Sequence, residues 1–488
     1  MDRKILKNYI FNIAYQVVIL AMPFIMTPYL QSVFSADTLG INTWVSSNVQ
    51  WFVIAGMLGT KIYGNREIAR VRDNQEQLSK TFSEIYLMQL ITISCALIVY
   101  LIAVPFLADR YVTVSFIQTL TLISTALDIT WFFFGVEDFA KASVRNILVK
   151  IVGSILILVL VKQEADFYLF VVINGATAVL GQLIMWIQLK QYIKPVRVKL
   201  SDSMKHLRPN LVYFVPQLAT NIYTNLPVNM LGYLSEDAEV TFYSLSQQFV
   251  KMFLFFITSI GDVMLPRLSN VHGKNNKGEF QAFLGNSYKM AIYLSIPLLV
   301  GICSVIPYFV PWFMEPGYGI VASLIIWMSP IVIFISISNV YGTQFLLPTG
   351  RTREYSFSVI VGAVVNFVLN FVLMPRYGAL GAVISVVIAE LSVTLTQWIF
   401  VHKEVKLPIS WIEIVKYIVA SFVMGLVIYF IGESFPTDTS KLLGLLKNAI
   451  QVLVGISTYF ITLILLKSSF QKELLSKVLS GVKNRGKN

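Results

Sequence analysis

The sequence has few of the residues on which a soluble enzyme depends. Only 13% of its 488 residues are charged, whereas soluble domains carry about 25%. Its two cysteines, Cys95 and Cys303, each lie within an apolar run, where a disulfide framework would serve no purpose. All three histidines lie in predicted loops and cannot form a zinc site with the cysteines at any standard spacing. No G-x-x-x-x-G-K followed by Ser or Thr is present, which argues against a P-loop. We therefore expect no metal and no cofactor.

Long apolar runs recur along the whole sequence, and 56% of the residues are hydrophobic. A helix needs about 20 such residues to cross roughly 30 Å of hydrocarbon. The runs predict an all-α polytopic membrane protein with fourteen transmembrane helices. The first run contains two prolines and lacks a small-residue cleavage site, so it predicts a span and not a signal peptide. The predicted spans are 10–32, 41–60, 83–107, 113–135, 147–162, 167–189, 210–233, 241–265, 287–310, 320–346, 356–374, 379–401, 412–432 and 445–466.

The net charge of +12 comes from basic residues whose distribution along the chain indicates how the protein is oriented in the membrane. With the N-terminus inside, most of the 38 Lys and Arg residues fall in predicted cytosolic loops and at the two termini. This pattern follows the positive-inside rule and predicts cytosolic termini. We expect no nucleic-acid partner. The basic residues that fall outside are Arg110, Lys162, Arg376, Lys441 and Lys447.

The basic connector from Lys190 to Pro209 divides the chain into two related halves. Ser35 and Asp37 follow predicted helix 1, and Ser235 and Asp237 follow helix 7, at an offset of 200. Six spans per half give both copies the same orientation, as in parallel-repeat transporters. We therefore predict two pseudo-symmetric six-helix lobes followed by two extra helices. The predicted divisions are an N-lobe at 1–200, a C-lobe at 201–402, and helices 13 and 14 with a basic tail at 403–488.

Polar side chains recur about every four residues along predicted helices 1, 2, 7 and 8. Residues four apart share one helix face, and within lipid a polar face turns toward protein or a water-filled cavity. Amides can bind sugar hydroxyls and indoles can stack on sugar rings, so we predict a hydrophilic cavity. The alternative is that the amides hold helices together. The predicted cavity residues are Asn12, Gln16, Asn48, Trp51, Gln217, Asn221, Asn225, Gln248 and Lys251.

Lys251 is the best single site candidate, because it lies about ten residues into predicted helix 8, where a cation needs a partner or water. An anionic group such as a pyrophosphate would supply that partner. A structural ion pair or a lysine that extends to the interface is the alternative. Asp128 and Glu390 are candidate groups for ion coupling or partners of Lys251. Asp262 lies near Arg267 at the cytosolic edge, which favours a structural pair.

Six strings along the sequence are distinctive. They are PYLQSVFSADTLG at 28–40, YGNREIARVRD at 63–73, WFFFGVEDFAKASVRN at 131–146, GDVMLPRLS at 261–269, LLPTGRTREY at 346–355 and YGALGAVISVVIAE at 377–390. These strings resemble the Wzx-type polysaccharide flippases, which belong to the superfamily that includes multidrug and toxin extruders and lipid II flippases. The resemblance covers essentially the whole chain.

The resemblance implies a flippase, not an enzyme, in the bacterial plasma membrane. It would move an undecaprenyl-pyrophosphate-linked oligosaccharide from the inner to the outer leaflet by alternating access, for capsule, exopolysaccharide or O-antigen synthesis. The cycle would be coupled to a proton or sodium gradient or to membrane potential. The implied partners are the lipid-linked glycan, membrane lipids, a polysaccharide polymerase and glycosyltransferases, with the chain acting as a monomer.

The resemblance also extends to individual positions. A basic cytosolic rim would attract an anionic headgroup to the loading side, although topology alone also explains basic residues there. Asp262 departs from the neutral residue that we expect of the family. The rim residues are Arg66, Arg70, Arg145, Lys150 and Arg267. The positions that match family motifs are Asp128, Trp131, Glu137 and Arg145, then Arg66 and Glu67, then Lys251, Pro266 and Arg267.

Three other functions stay open at this point. A flippase for teichoic acid or peptidoglycan precursors would share the mechanism and differ only in headgroup. A drug or cation antiporter of the same fold would favour an acidic cavity over one that holds a lysine. A membrane glycan polymerase would be the enzyme alternative, but such proteins carry a large external loop, and here the predicted external loops are short.

Overall fold

Helices are the regular elements of this chain. The computed structural model describes residues 3–107, 109–274, 276–404, 410–434 and 440–476, and this part of the chain contains no strand. The prediction of an all-α membrane protein is confirmed. The helices are α1 Arg3–Val33, α2 Ala36–Met57, α3 Thr60–Val71, α4 Gln75–Ala103, α5 Asp109–Ala126, α6 Thr130–Gly135, α7 Phe139–Leu160, α8 Phe167–Leu189, α9 Leu200–Met204, α10 Leu207–Leu234, α11 Asp237–Gly273, α12 Lys277–Phe313, α13 Ile320–Met328, α14 Ile331–Ser338, α15 Thr352–Val401, α16 Trp411–Glu433 and α17 Lys441–Leu465.

The predicted number of fourteen spans is not confirmed. Among the described residues, ten helical stretches are long and apolar enough to cross a membrane. One of them is α15, a 50-residue stretch that changes direction at Gly378, where φ is 52°, so it contains predicted spans 11 and 12. Predicted spans 2, 7 and 8 fall in α2, α10 and α11, which are not among the ten. These are three of the four helices on which the polar stripes lie.

The chain forms two compact units, Met1–Thr241 and Phe242–Asn488. The predicted boundary at residue 200 lies inside the first unit, where α10 packs on α2 and α3. The core of the first unit is aromatic, with Trp131, Phe132 and Phe133 almost completely buried. Packing does not test the six-helix repeat, which stays a prediction.

Predicted span 4 is not a continuous helix, because α5 ends at Ala126 and α6 begins at Thr130. The Gln89 amide nitrogen lies 3.2 Å from the Thr125 carbonyl oxygen, 3.3 Å from that of Ala126 and 3.0 Å from that of Asp128. Carbonyl groups at the end of a helix lack partners within the helix. The break is therefore stabilised because the Gln89 side chain of α4 binds these carbonyl groups.

The second unit packs α12 against α16 and α17. Tyr293, Tyr417 and Tyr459 form the centre of this core, and the Tyr459 hydroxyl donates a hydrogen bond of 2.8 Å to the Tyr293 carbonyl. Predicted span 10 is divided into α13, α14 and a π-helical segment, Asn339–Leu346. Such π-helical segments frequently mark functional sites.

Candidate functional site

One polar face runs along the whole length of α10. Its members recur at steps of three or four residues, which is the helical repeat. The part from Gln217 to Asn229 was predicted from the sequence as a polar stripe. Hydrogen bonds divide the face into a lower, a middle and an upper section. The members are His206, Asn210, Tyr213, Gln217, Asn221, Asn225 and Asn229.

The lower section is bound to α3. The Asn210 amide donates a hydrogen bond of 2.9 Å to the Thr60 hydroxyl, and Asn210 is completely buried. Arg66 of α3 donates to the Tyr213 hydroxyl. A Cβ at Gly59 would lie 2.5 Å from the Asn210 carbonyl oxygen, so glycine permits this close approach. The base of α10 is therefore fixed on α3.

A histidine at the N-terminal end of α10 joins three elements. The Tyr63 hydroxyl lies 2.6 Å from His206 Nδ1, and His206 Nε2 lies 3.1 Å from a carboxylate oxygen of Glu84 on α4. Burial, with a smaller contribution from Glu67, raises the pKa of Tyr63 to about 12. The two ring nitrogens of His206 therefore connect α3 to α4 through the Tyr63 hydroxyl and the Glu84 carboxylate.

The upper section is bound to α2. Asn229 is buried, and its side-chain oxygen accepts hydrogen bonds from Trp51 Nε1 at 2.7 Å and from the Ser47 hydroxyl at 3.1 Å. The Trp44 indole donates to the Asn229 carbonyl at 3.1 Å. A Cβ at Gly232 would lie 2.0 Å from Trp44, so the helices pack without a gap. These hydrogen bonds join α10 to α2 through Asn229.

The middle section makes its described side-chain hydrogen bonds within α10. The Asn221 amide donates 2.9 Å to the Gln217 carbonyl, and the Asn225 amide donates 2.8 Å to the Asn221 side-chain oxygen. All three side chains are half-buried. On α2, the half-buried Asn48 donates 2.9 Å to the Trp44 carbonyl of its own helix. These amides keep partial access to solvent and are the ones suited to binding a polar ligand.

Two cavity residues were predicted on α1, namely Asn12 and Gln16. Gln16 is half-buried, as a side chain on the edge of a cavity would be. Asn12 lies outside the residues whose side chains the structure describes. The same holds for three positions of α11, namely Asp262, Pro266 and Arg267.

Lys251 lies in the second unit with its side chain exposed. Its ammonium group donates a hydrogen bond of 2.9 Å to the Gln247 side chain, one turn earlier on α11. Glu390 is 7% exposed and interacts electrostatically with Lys251. Gln248 is half-buried on the same helix. Sequence reasoning overlooked Gln247, although its spacing of four residues from Lys251 was the available signal.

Asp128 lies at the break between α5 and α6, not in mid-helix as predicted. One of its carboxylate oxygens accepts a hydrogen bond of 2.9 Å from the Thr130 backbone, and the other lies 4.0 Å from the Lys61 ammonium. Arg145 donates 2.8 Å to the Thr130 hydroxyl, and that hydroxyl also contacts Asp128. The Thr130 hydroxyl thus links the acid to the arginine.

The predicted basic rim divides into exposed and buried residues. Arg66 and Arg70 are exposed on α3, and Arg70 forms an ion pair of 3.0 Å with Glu67 on its own helix. Arg145 is only 7% exposed, so it is far less accessible than Arg66 and Arg70. The reason is that α8 covers its stem, since a Cβ at Gly181 would lie 3.2 Å from Arg145 Cδ.

The fold places the chain in the class of multi-span α-helical membrane proteins. It is similar to a structure titled "Lipid II flippase MurJ, inward closed conformation", with a TM-score of 0.72 and 14% identity over 96% of this chain and 99% of that one. An inward-facing multidrug resistance MATE family transporter of the MOP superfamily matches with a TM-score of 0.53 and 14% identity, over 78% and 97% of the two chains.

Sequence comparison identifies the family to which the chain belongs. The model described as "Polysaccharide biosynthesis protein" matches residues 5–272, and the MatE model matches residues 213–372. The chain belongs to the polysaccharide biosynthesis protein family. Two relatives carry the description "Putative O-antigen transporter". The one from Shigella dysenteriae is 23% identical over 79% of this chain and 96% of its own length, and the one from Escherichia coli K12 is 22% identical over 78% and 92%. The resemblance to Wzx-type flippases is confirmed.

Proposed function

We propose that this protein is a flippase that moves an undecaprenyl-pyrophosphate-linked oligosaccharide from the cytosolic to the outer leaflet of a bacterial plasma membrane. The names of its relatives, an O-antigen transporter and a lipid II flippase, support a lipid-linked glycan as the cargo. The protein binds and releases its cargo by alternating access and performs no chemical step. The products serve capsule, exopolysaccharide or O-antigen synthesis.

The exposed cation at Lys251 carries this proposal. A pyrophosphate needs a cationic partner, and charge-assisted hydrogen bonds to phosphate are among the strong ones. Gln247 orients the ammonium group, and Gln248 adds a second amide to the same helix. The half-buried amides of α10, Gln217 and Asn221, supply donors and acceptors of the kind that sugar hydroxyls bind.

Glu390 is the better of the two candidates for ion coupling. It is buried, and its electrostatic partner is Lys251, so an anion that binds Lys251 competes with this carboxylate. The Asp128 carboxylate, in contrast, accepts hydrogen bonds from Thr130 at the helix break, and we assign it a structural role.

We further propose that the chain acts as a monomer with both termini in the cytosol. Its membrane neighbours would be the glycosyltransferases that build the repeat unit and the polymerase that consumes it. The exposed arginines Arg66 and Arg70 would attract the anionic headgroup to the loading side, with Arg267 as a third member. An antiporter for cationic drugs is disfavoured, because Lys251 would repel such a cargo.

Substitution of Lys251 tests the function. In vesicles that contain a fluorescent lipid-linked oligosaccharide, Lys251→Ala should lower the rate of headgroup translocation about 10-fold to 100-fold, the factor expected for losing one charge-assisted bond. Lys251→Arg keeps the charge and should retain more activity. Lys274→Ala removes an exposed lysine just after α11 and should change nothing. Equal translocation by wild type and Lys251→Ala would remove this residue from the mechanism.

A further inference from the structure

The chain between α8 and α9 is irregular but fixed in place. The Tyr192 hydroxyl donates a hydrogen bond of 2.5 Å to a carboxylate oxygen of Asp138, the residue before α7. The Lys194 backbone N–H donates 3.0 Å to the hydroxyl of Ser79, a buried residue of α4. We refer to residues 190–200 as the basic segment. Its first half is therefore bound to two places in the first unit.

The second half of the basic segment leads into the short helix α9. This helix packs against α4, and its Ser203 side chain is completely buried. Earlier in the segment, Ile193 packs against the aromatic core of the first unit. The segment is thus held at both ends, and its outer side is a surface of defined shape, not a loose loop.

The exposed side chains of the basic segment are mostly cationic, and the segment contains no acidic residue. Within the described ranges, none of its four cations forms an ion pair, whereas Lys205, just after α9, pairs with Asp202 at 2.6 Å. Unpaired cations on a fixed backbone are available to an anionic ligand. The four cations, all exposed, are Lys190, Lys194, Arg197 and Lys199.

Exposed apolar side chains lie among these cations. Val196 is 37% exposed and Leu200 is 59% exposed, on either side of Arg197 and Lys199 in the sequence. The positive-inside rule accounts for cations in such a loop, but it does not account for apolar side chains that stay exposed between them. A mixture of basic and apolar side chains is typical of segments that lie on a membrane surface.

The position of the basic segment relative to the bilayer follows from α8. This helix belongs to one of the stretches that are long and apolar enough to cross a membrane, Glu164–Leu189. Its last turns carry exposed apolar side chains, with Ile187 67% and Leu183 43% exposed, as expected of residues that face lipid. Lys190 follows three residues after Ile187, a rise of about 5 Å along the helix axis. The basic segment therefore begins at the end of a lipid-facing surface.

We propose that the basic segment is a binding surface for anionic phospholipid headgroups, with its four cations on the lipid phosphates and Leu200 at the boundary with the acyl chains. Basic residues near an anionic membrane surface each contribute about fivefold to binding. Because Asp138 and Ser79 bind the same segment from the inner side, bound lipid holds this end of the first unit at the membrane surface. The proposal is independent of the transported substrate.

A fluorescent probe on the full-length protein tests this surface. The variant Leu200→Cys, with Cys95→Ala and Cys303→Ala, is labelled with a solvent-sensitive fluorophore and reconstituted into phosphatidylcholine nanodiscs with or without phosphatidylglycerol. We expect emission at shorter wavelength with phosphatidylglycerol, because the bound lipid excludes water from the probe. The shift should disappear at about 1 M salt, where the Debye length is about 3 Å.

Charge removal distinguishes the basic segment from the net charge of the protein. Replacing all four of its cations by Gln should abolish the shift, and Arg197→Gln alone, which changes one exposed side chain, should reduce it. A control variant removes the same charge at four exposed positions elsewhere and should preserve the shift; these are Lys274, Arg353, Lys403 and Lys472. Identical emission in both lipid compositions, an undiminished shift after charge removal from the segment, or loss of the shift in the control variant would overturn the proposal.

Discussion

Two asparagines of α10, eight residues apart on one face, have different environments. Asn229 is buried and its side chain accepts hydrogen bonds from Trp51 and Ser47 of α2. Asn221 is half-buried and its described hydrogen bonds stay within α10. Both residues are asparagines, and both belong to the same four-residue repeat along α10. The comparison teaches that a polar stripe in a membrane helix can serve as structural contact at one end and as candidate binding surface further along.

Gln89, like Asn229, has a structural role, and its substitution should lower the free energy of unfolding more than any other proposed here. It is completely buried, contacts three carbonyl groups at the α5–α6 break, and accepts a hydrogen bond of 2.9 Å from the Trp131 indole. Gln89→Leu leaves these groups without a partner, so we expect a loss of about 3 kcal/mol in unfolding free energy. Unfolding of the purified protein in mixed detergent micelles measures it. A loss below about 1 kcal/mol would mean that the break does not depend on this amide.

Asn229→Leu should give the second largest effect. It leaves the Trp51 and Ser47 donors unsatisfied at a buried contact, and we expect a loss of about 2 kcal/mol in the same unfolding measurement. If Asn229→Leu were as stable as wild type, the upper section would not be a structural contact.

Asn221→Leu should have the smallest effect on stability, below about 1 kcal/mol, because its described hydrogen bonds lie within α10 and its side chain is only half-buried. Headgroup translocation should fall nevertheless if this amide binds the glycan. Measuring stability and translocation on the same preparation separates the two roles. A large stability loss with unchanged translocation would reverse the assignment of the two asparagines.

The sequence predicted the all-α fold class and much of the polar face of α10. The amides Gln217, Asn221 and Asn225 were predicted as a stripe, and the structure leaves all three half-buried. The break at Asp128 was missed because no glycine or proline stands between Ala126 and Thr130. The partner that stabilises it, Gln89, lies on another helix, and no local rule connects the two.

The cytosolic rim predicted from the sequence includes Arg145, because this residue lies in a basic stretch between two apolar runs. Burial of this arginine depends on α8, whose Gly181 lets the two helices approach. Topology rules count charges per loop and carry no information on which charge a neighbouring helix covers. The position of the residue relative to its neighbours had to come from packing.

The amino-acid sequence alone determined that this protein is helical, spans a membrane several times and resembles the Wzx-type flippases. Run length and apolar composition are local properties, and the bilayer permits few structures to satisfy the backbone of such runs. Tertiary structure decided which amides form hydrogen bonds between helices, where α5 ends, and which Lys and Arg side chains stay exposed. Each of these depends on a hydrogen-bond partner or a covering helix that is distant in sequence, and burial makes an unpaired polar group costly.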